Sequence, residues 1–141
     1  MFVLILPTII GILLGGHWMW LGFIILFILV VGGDALLSDD VSTPDYKYTW
    51  ILELPLHLAL PMIFILLISF AWSSGSGSSD FIGMGAWLGS LFEYDFIQAR
   101  SGSIWVDYLG AVIGTGFLVA GYGTNAGHEL SHRLQNTIAK L

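Results

Sequence analysis

The feature that most constrains the fold is the apolar stretch at residues 2–31, which contains no Asp, Glu, Lys or Arg. As a single helix it would be about 45 Å long, because each residue adds about 1.5 Å. The hydrocarbon core of a bilayer is only about 30 Å thick. Gly15 and Gly16 interrupt the stretch and disfavour a continuous helix. We therefore expect two apolar helices, at about residues 2–14 and 18–36, joined by a tight turn.

The composition indicates an all-α integral membrane protein. Of the 141 residues, 56% are hydrophobic and only 10% are charged, whereas about 25% are charged in a typical globular domain. So few charges cannot keep a whole protein surface hydrated. The net charge of -6 excludes a basic surface for nucleic acid. The absence of cysteine from the sequence excludes disulfides, thiolate zinc sites and cysteine-ligated clusters.

Two further apolar segments are long enough to cross a bilayer, at about residues 48–72 and 104–122. The first contains Pro55 and Pro61, which membrane helices tolerate where neighbouring helices satisfy the freed carbonyl groups. The second is rich in small residues, which allow close helix packing. Residues 81–96 are apolar but short and broken by glycines, so we expect them to lie at the interface or to re-enter the bilayer. The chain thus has about four apolar segments.

One motif concentrates side chains that can bind a metal, Asn-Ala-Gly-His-Glu-Leu-Ser-His-Arg at residues 125–133. His128 and His132 are four residues apart, so on a helix they share a face and can direct two imidazoles at one ion. His-Glu-x-x-His is also the zinc metalloprotease signature, with Glu129 as general base. Arg133 and the lack of a candidate third zinc ligand after the motif count against that alternative.

Other ionisable residues have two interpretations each. Glu53 and His57 are four apart within a predicted membrane helix, where an ionisable residue is a functional candidate; the alternative is a structural hydrogen bond to a neighbouring helix. The loop after the second helix can bind a hard cation or be a solvated connection. Its acidic residues are Asp34, Asp39, Asp40 and Asp45.

The few basic residues predict an orientation, because Lys and Arg favour the cytoplasmic side. If the first residues are cytoplasmic, Lys47, Arg133 and Lys140 lie inside and only Arg100 lies outside. The histidine pair then lies at the cytoplasmic surface of a multi-pass protein.

The motif Asn-x-Gly-His-Glu-Leu-x-His-Arg resembles the first histidine box of the integral-membrane alkane hydroxylase and xylene monooxygenase family, relatives of the membrane fatty-acid desaturases. Residues 15–22 are similar to the first helical turn of the xylene branch, and Pro55-Leu56-His57 is similar to a Pro-x-His on the family's third helix. The family's acidic loop after its second helix resembles the stretch with Asp34, Asp40 and Pro44. These matches follow one another in the family's order.

The resemblance implies a six-helix transmembrane bundle with two non-haem iron ions held by several histidine boxes. It implies O2 activation and hydroxylation of the terminal C–H bond of a hydrophobic substrate, an alkane or an alkylbenzene. Electrons would come from NAD(P)H through a reductase and a rubredoxin or ferredoxin. A bacterial inner membrane is the implied location.

Carried over residue by residue, the resemblance makes His128 and His132 iron ligands, in keeping with the suitability of imidazole for iron. It implies that Glu129 and Asn125 orient a ligand imidazole through hydrogen bonds. His57 would face the protein interior near the substrate route.

The sequence departs from the family in its histidine count. Only four histidines are present, and boxes of the types His-x-x-x-His-His and Asn-Tyr-x-Glu-His are absent. We expect His17 and His57 to lie far from the histidine pair, and two imidazoles cannot hold two irons. Residues 1–141 are therefore predicted to be the N-terminal part of one hydroxylase domain, inactive without a C-terminal half. The remaining alternative is a non-catalytic membrane protein.

Overall fold

The computed structural model describes residues 2–36, 49–75 and 80–132, and every regular element within them is helical. The helices are α1 (Phe2–Leu14), α2 (Leu21–Phe27), α3 (Gly33–Leu36), α4 (Thr49–Ser73), α5 (Met84–Phe92), α6 (Phe96–Ser101) and α7 (Trp105–His132). A 3-10 turn (Gly16–Trp20) precedes α2, and a π-helical turn (Ile28–Gly32) joins α2 to α3. The prediction of an all-α fold is confirmed for the described residues.

Two of these helices are long and apolar enough to cross a membrane, through Leu54–Ser73 of α4 and Trp105–Glu129 of α7. The helices Phe2–Leu14 and Gly16–Gly32 are apolar but shorter. Large apolar side chains on the outside of α4 and α7 are exposed, including Phe64 and Phe117. Lipid would cover such side chains, so the predicted association with a membrane is supported.

Contacts between helix ends define the relative directions of α1, α4 and α7. The Ser73 hydroxyl at the end of α4 lies 3.5 Å from the Ile12 carbonyl oxygen near the end of α1. The Tyr108 hydroxyl near the start of α7 donates to the Ser73 carbonyl oxygen at 2.8 Å. Helices α1 and α4 are therefore parallel, and α7 is antiparallel to both. We call the end where α7 finishes the motif end, and the end where α7 begins the distal end.

The core lies where α1, α4 and α7 meet. It consists of apolar side chains that are at most 8% exposed: Ile5, Ile9, Ile12, Met19, Leu66, Ala111 and Leu118. Small residues allow the close approach of α2 to this core. A Cβ atom at Gly22 would lie 2.2 Å from the Thr8 hydroxyl oxygen, so α1 and α2 pack with almost no space between them.

The turn between α1 and α2 forms where the glycine pair predicts it. Gly15 has a φ of 71°, in the left-handed region that favours glycine. A Cβ atom at this position would also lie 2.7 Å from the Ala99 carbonyl oxygen. The glycine therefore both reverses the chain and lets α6 pack against the turn.

Several local features differ from the expectation. The predicted second helix starts with a 3-10 turn and contains a π-helical turn, neither of which the apolar pattern signals. The predicted single segment at 81–96 contains α5 and the start of a second short helix, α6. Both are too short to span a bilayer. Pro55 and Pro61 lie inside an unbroken α4, as predicted.

Some predictions fall outside the described residues. Asp34 lies on α3, but its side chain is not described. The same holds for the side chains of Glu53 and His132. The remaining positions of this kind are Asp39, Asp40, Pro44, Asp45, Lys47, Arg133 and Lys140.

Candidate functional site at the end of α7

The histidine motif lies on the same continuous helix as the last apolar segment. Helix α7 runs for 28 residues through both His128 and His132. The sequence predicted an apolar span to about residue 122 that leads directly into the motif, and α7 is continuous through both. Residues four apart on a helix share a face, so the backbone places these two positions on one face at the motif end.

A partly open cleft of about 460 Å³ lies between α4 and α7 at the motif end. Its α4 wall is apolar and consists of Pro55, Leu56 and Ala59. Its α7 wall is mostly polar and consists of Tyr122, Asn125, Ala126, His128 and Glu129. The cleft thus sets an apolar surface opposite the polar side chains of the motif.

The α7 wall follows helical spacing. Tyr122, Asn125, Ala126 and Glu129 stand at positions i, i+3, i+4 and i+7, which lie on one side of a helix. His128 extends this side around the helix. Three residues that the motif singled out therefore line a single cleft, namely Asn125, His128 and Glu129. The side chains of all three are exposed.

The chemistry of these side chains fits part of a metal centre. A neutral imidazole binds iron, zinc or copper. Side-chain amides and carboxylates commonly accept the hydrogen bond from the other ring nitrogen of such a ligand. Within the described residues, however, no group of three or more His, Asp or Glu side chains is placed to hold an ion together. Among the described side chains of the cleft, His128 and Glu129 are the ones whose chemistry suits a metal ion.

The structure brings the α4 segment that carries His57 to the cleft. Its side chain is half-buried, and its neighbours on α4, Leu56 and Ala59, line the cleft together with His128. His57 itself is not part of the lining. The expected separation of the His57 side chain from the histidine pair and its role in a substrate route both stay predictions.

His17 lies far from the motif, as predicted. Its Nδ1 atom is 2.9 Å from Oδ1 of Asp107, near the start of α7 at the distal end. The path along α7 from residue 107 to His128 is about 32 Å at 1.5 Å per residue. The other Asp107 oxygen accepts a hydrogen bond from the Ile104 N–H at 2.9 Å. Asp107 therefore stabilises the helix start, as the acidic residue of a capping box does.

The sequence did not single out two residues that line the cleft, Ala59 of α4 and Tyr122 of α7. Tyr122 is the polar one. It is half-buried, lines the cleft and packs against the core. The signal for it was present, because Tyr122 precedes Asn125, Ala126 and Glu129 at the spacing of one helix face. This spacing implies a shared face only where the helix continues from Tyr122 through the motif, as α7 does.

Comparisons with known proteins add no assignment: no family model, no curated protein and no solved structure matches the chain. The motif, the helix that carries it and the cleft beside it are therefore the features that bear on function.

Proposed function

We propose that this chain supplies part of the iron site of an integral-membrane non-haem di-iron monooxygenase. The substrate class is hydrophobic, an alkane or an alkylbenzene hydroxylated at a terminal C–H bond. One observation carries the proposal. An apolar helix of membrane-spanning length continues without a break through His128 and His132 and ends beside a cleft with an apolar wall.

The metal would be held at the motif end by His128 and His132, with Asn125 and Glu129 orienting the imidazoles. An imidazole whose second ring nitrogen is hydrogen-bonded keeps a fixed tautomer and ring orientation. Two imidazoles do not complete a di-iron site, so the proposal includes further histidines from a C-terminal half of the same protein. Iron bound there would supply the activation of O2.

The apolar α4 wall favours a hydrocarbon substrate over a polar one. Pro55, Leu56 and Ala59 have no polar side-chain atoms, so they make only dispersion and hydrophobic contacts. A hydrocarbon dissolved in the bilayer would enter between α4 and α7 without passing through water. Within the cleft, Tyr122 lies one helical turn deeper along α7 than Ala126 and would contact the end of the chain that reaches the core.

The electron donor would dock at the motif end from the cytoplasm. A rubredoxin or ferredoxin with its NAD(P)H reductase is the partner that the proposed reaction requires. The exposure of His128 and Glu129 at this end supports the placement, because electrons must reach the metal from a protein in water.

The test is to replace His128 by Ala in the complete hydroxylase and to measure iron per protein and terminal hydroxylation. We expect both to be lost, because a bound ion cannot keep its geometry without an imidazole ligand. Thr124→Ala is the matched control. Thr124 is an exposed residue of α7 one turn before His128 and does not line the cleft, so iron and turnover should be unchanged.

Retained iron and turnover in His128→Ala would refute the proposal. Zinc in place of iron, with peptide cleavage that Glu129→Gln abolishes, would instead identify a membrane metalloprotease. That alternative uses the same helix, since its motif also needs both histidines on one face. Metal analysis and the activity of the Glu129 variant therefore separate the two functions.

A further inference from the structure

Helix α5 lies across the distal end of the bundle, from α4 to α1. It begins beside the end of α4, since a Cβ atom at Gly85 would lie 2.8 Å from the Trp72 ring. It ends beside α1, where the Tyr94 hydroxyl, two residues after the helix, donates to the Leu14 carbonyl oxygen at 3.0 Å. A helix of nine residues is about 14 Å long. That length bridges two neighbouring helices, whose axes are typically about 8–10 Å apart.

Both ends of α5 are at the same level of the bundle. The ends of α1 and α4 lie side by side, because the Ser73 hydroxyl is 3.5 Å from the Ile12 carbonyl oxygen. In a re-entrant segment the helix would point into the bilayer, and one of its ends would be deeper than the other. The placement of α5 therefore favours the interface over re-entry for residues 81–96.

One exposed side of α5 is apolar. Trp87 and Leu91 are four residues apart and so share a helix face, and they are 62% and 57% exposed. Phe81 and Ile82, just before the helix, are 62% and 51% exposed. Residues 81–92 contain no Asp, Glu, Lys or Arg. We call Phe81, Ile82, Trp87 and Leu91 together the α5 surface.

The neighbouring exposed side of α5 has small residues instead. Ala86 and Ser90 are also four apart, and both are exposed. The Ser90 hydroxyl donates to the Trp87 carbonyl oxygen at 2.7 Å. The charged residues Asp80 and Glu93 stand before and after the helix. A helix in the plane of a membrane interface needs such a division, with large apolar side chains towards the acyl chains and polar groups towards water.

The level of α5 coincides with the ends of the two candidate membrane spans. The span in α4 ends at Ser73, and the span in α7 begins at Trp105. Trp18 and Trp105 at this end are 58% and 76% exposed, and tryptophan is enriched at the boundary between hydrocarbon and water. The space of about 400 Å³ between α1 and α5 has an apolar lining that includes Leu88 and Phe92. Apolar surface therefore borders α5 on the bundle side as well.

We propose that the α5 surface binds the lipid bilayer, by inserting into the headgroup boundary of the leaflet on the distal side. Trp87 and Leu91 contact the first part of the acyl chains, and Ala86 and Ser90 face water. Aliphatic chains complement a surface without charged residues, and its position next to the candidate spans makes it continuous with their lipid-facing sides. This contact holds the two short helices α5 and α6 at the membrane surface. The inference does not depend on the hydroxylase proposal.

The experiment attaches a nitroxide spin label to the chain in phosphatidylcholine nanodiscs. The sequence contains no cysteine, so Leu91→Cys gives a single labelling site. Relaxation of the label is measured with O2, which concentrates in hydrocarbon, and with a water-soluble nickel chelate. We expect O2 to have the stronger effect, at a depth of about 5–10 Å below the headgroup boundary.

Two further labelled variants calibrate this result. Ser90→Cys is the matched control, because Ser90 is the preceding residue of α5 and is exposed on the other side; here the nickel chelate should have the stronger effect. Phe117→Cys marks the middle of α7, since Phe117 is 60% exposed and about 18 Å along the helix from Trp105. Its label should be deeper than the label at Leu91.

Four results would overturn the proposal. Equal access of the nickel chelate to the Leu91 and Ser90 labels would place the α5 surface in water. A Leu91 label as deep as the Phe117 label would show re-entry, and protection of the Leu91 label from both reagents would show that protein covers the surface. Access of the nickel chelate to the Phe117 label would remove α7 from the bilayer. If Leu91→Cys does not fold, Trp87→Cys on the same face replaces it.

Discussion

The polar side chains at the two ends of α7 differ in their burial and in their contacts. At the distal end, Asp107 is buried and binds both His17 and the Ile104 N–H. At the same end the Trp20 indole N–H donates to the Val106 carbonyl oxygen at 3.1 Å. At the motif end, the polar side chains of Asn125, His128 and Glu129 are exposed in a cleft.

The same contrast holds for the glycines of α7. A Cβ atom at Gly110 would lie 2.6 Å from the Trp20 ring, so the chain itself fills that space. At Gly127 no atom of another part of the described chain lies within 4 Å of the corresponding position. One end of α7 is therefore built into the packing of the bundle, and the other has exposed polar side chains along a cleft. Substitutions should cost stability at the first end and metal binding at the second.

The largest expected effect is the difference in the free energy of unfolding between Gly110→Leu and Gly127→Leu. The Gly110 variant forces a side chain into the space of the Trp20 ring, and overpacking of this kind costs about 1–3 kcal/mol or more. The Gly127 variant enters open space, and the better helix propensity of leucine should raise the free energy of unfolding by about 0.5–1 kcal/mol. Unfolding in mixed detergent micelles measures both. Equal losses would show that the motif end is packed as tightly as the distal end.

A smaller effect is expected from Asp107→Ala compared with Asn125→Ala. Loss of the buried carboxylate leaves the Ile104 N–H without its acceptor and should lower the free energy of unfolding by about 1–3 kcal/mol. Under the proposed function, the iron content of the folded fraction should stay constant in this variant. Asn125→Ala should leave stability unchanged and weaken iron binding by about 10–100-fold. If Asn125→Ala instead destabilises the fold and leaves iron bound, the expected contrast is wrong, in which the distal end serves stability and the motif end serves metal binding.

The smallest expected effect is the pH dependence from Asp80, at the distal end. Hydrogen bonds from the Ala86 N–H and the Trp72 indole lower the pKa of this carboxyl below its usual value. The unfolded chain therefore binds the proton more readily. The contribution of Asp80 to stability is complete above the unfolded pKa of about 3.9 and is lost as the pH falls through the lower folded pKa.

Thermal unfolding of the unmodified chain and of Asp80→Asn across this acidic range checks the prediction. The Asn variant should lose less stability than the unmodified chain as the pH falls, since it has no carboxyl to protonate at this position. Parallel curves for the two proteins would mean that Asp80 contributes nothing to the acid sensitivity of the fold.

Much of the helical layout follows from local sequence. Gly15 and Gly16 mark the turn after α1, and the apolar run after Tyr48 becomes α4 despite two prolines. The division of residues 81–103 into α5 and α6 was not predicted. Asp80 and Asp95 accept hydrogen bonds from backbone N–H groups at the starts of these two helices. The apolar pattern carries no signal for such polar caps.

Only the α7 side of the candidate site could be predicted from the sequence. The motif alone singled out His128, Glu129 and Asn125, because side chains that can bind a metal are rare in this sequence and these stand at helical spacing. The other wall of the cleft comes from α4, about seventy residues earlier in the chain. The spacing within one helix cannot specify which neighbouring helix will face it.

The sequence by itself determined that the chain is helical, that it is apolar enough to enter a membrane and that two histidines share a helix face. These are local properties, set by composition and by the period of the helix. The tertiary structure alone decided that α4 provides an apolar wall opposite the motif and that Asp107 holds His17 at the other end. These depend on packing between distant segments, where the fit of Gly22 against Thr8 and of Gly110 against Trp20 sets which surfaces meet.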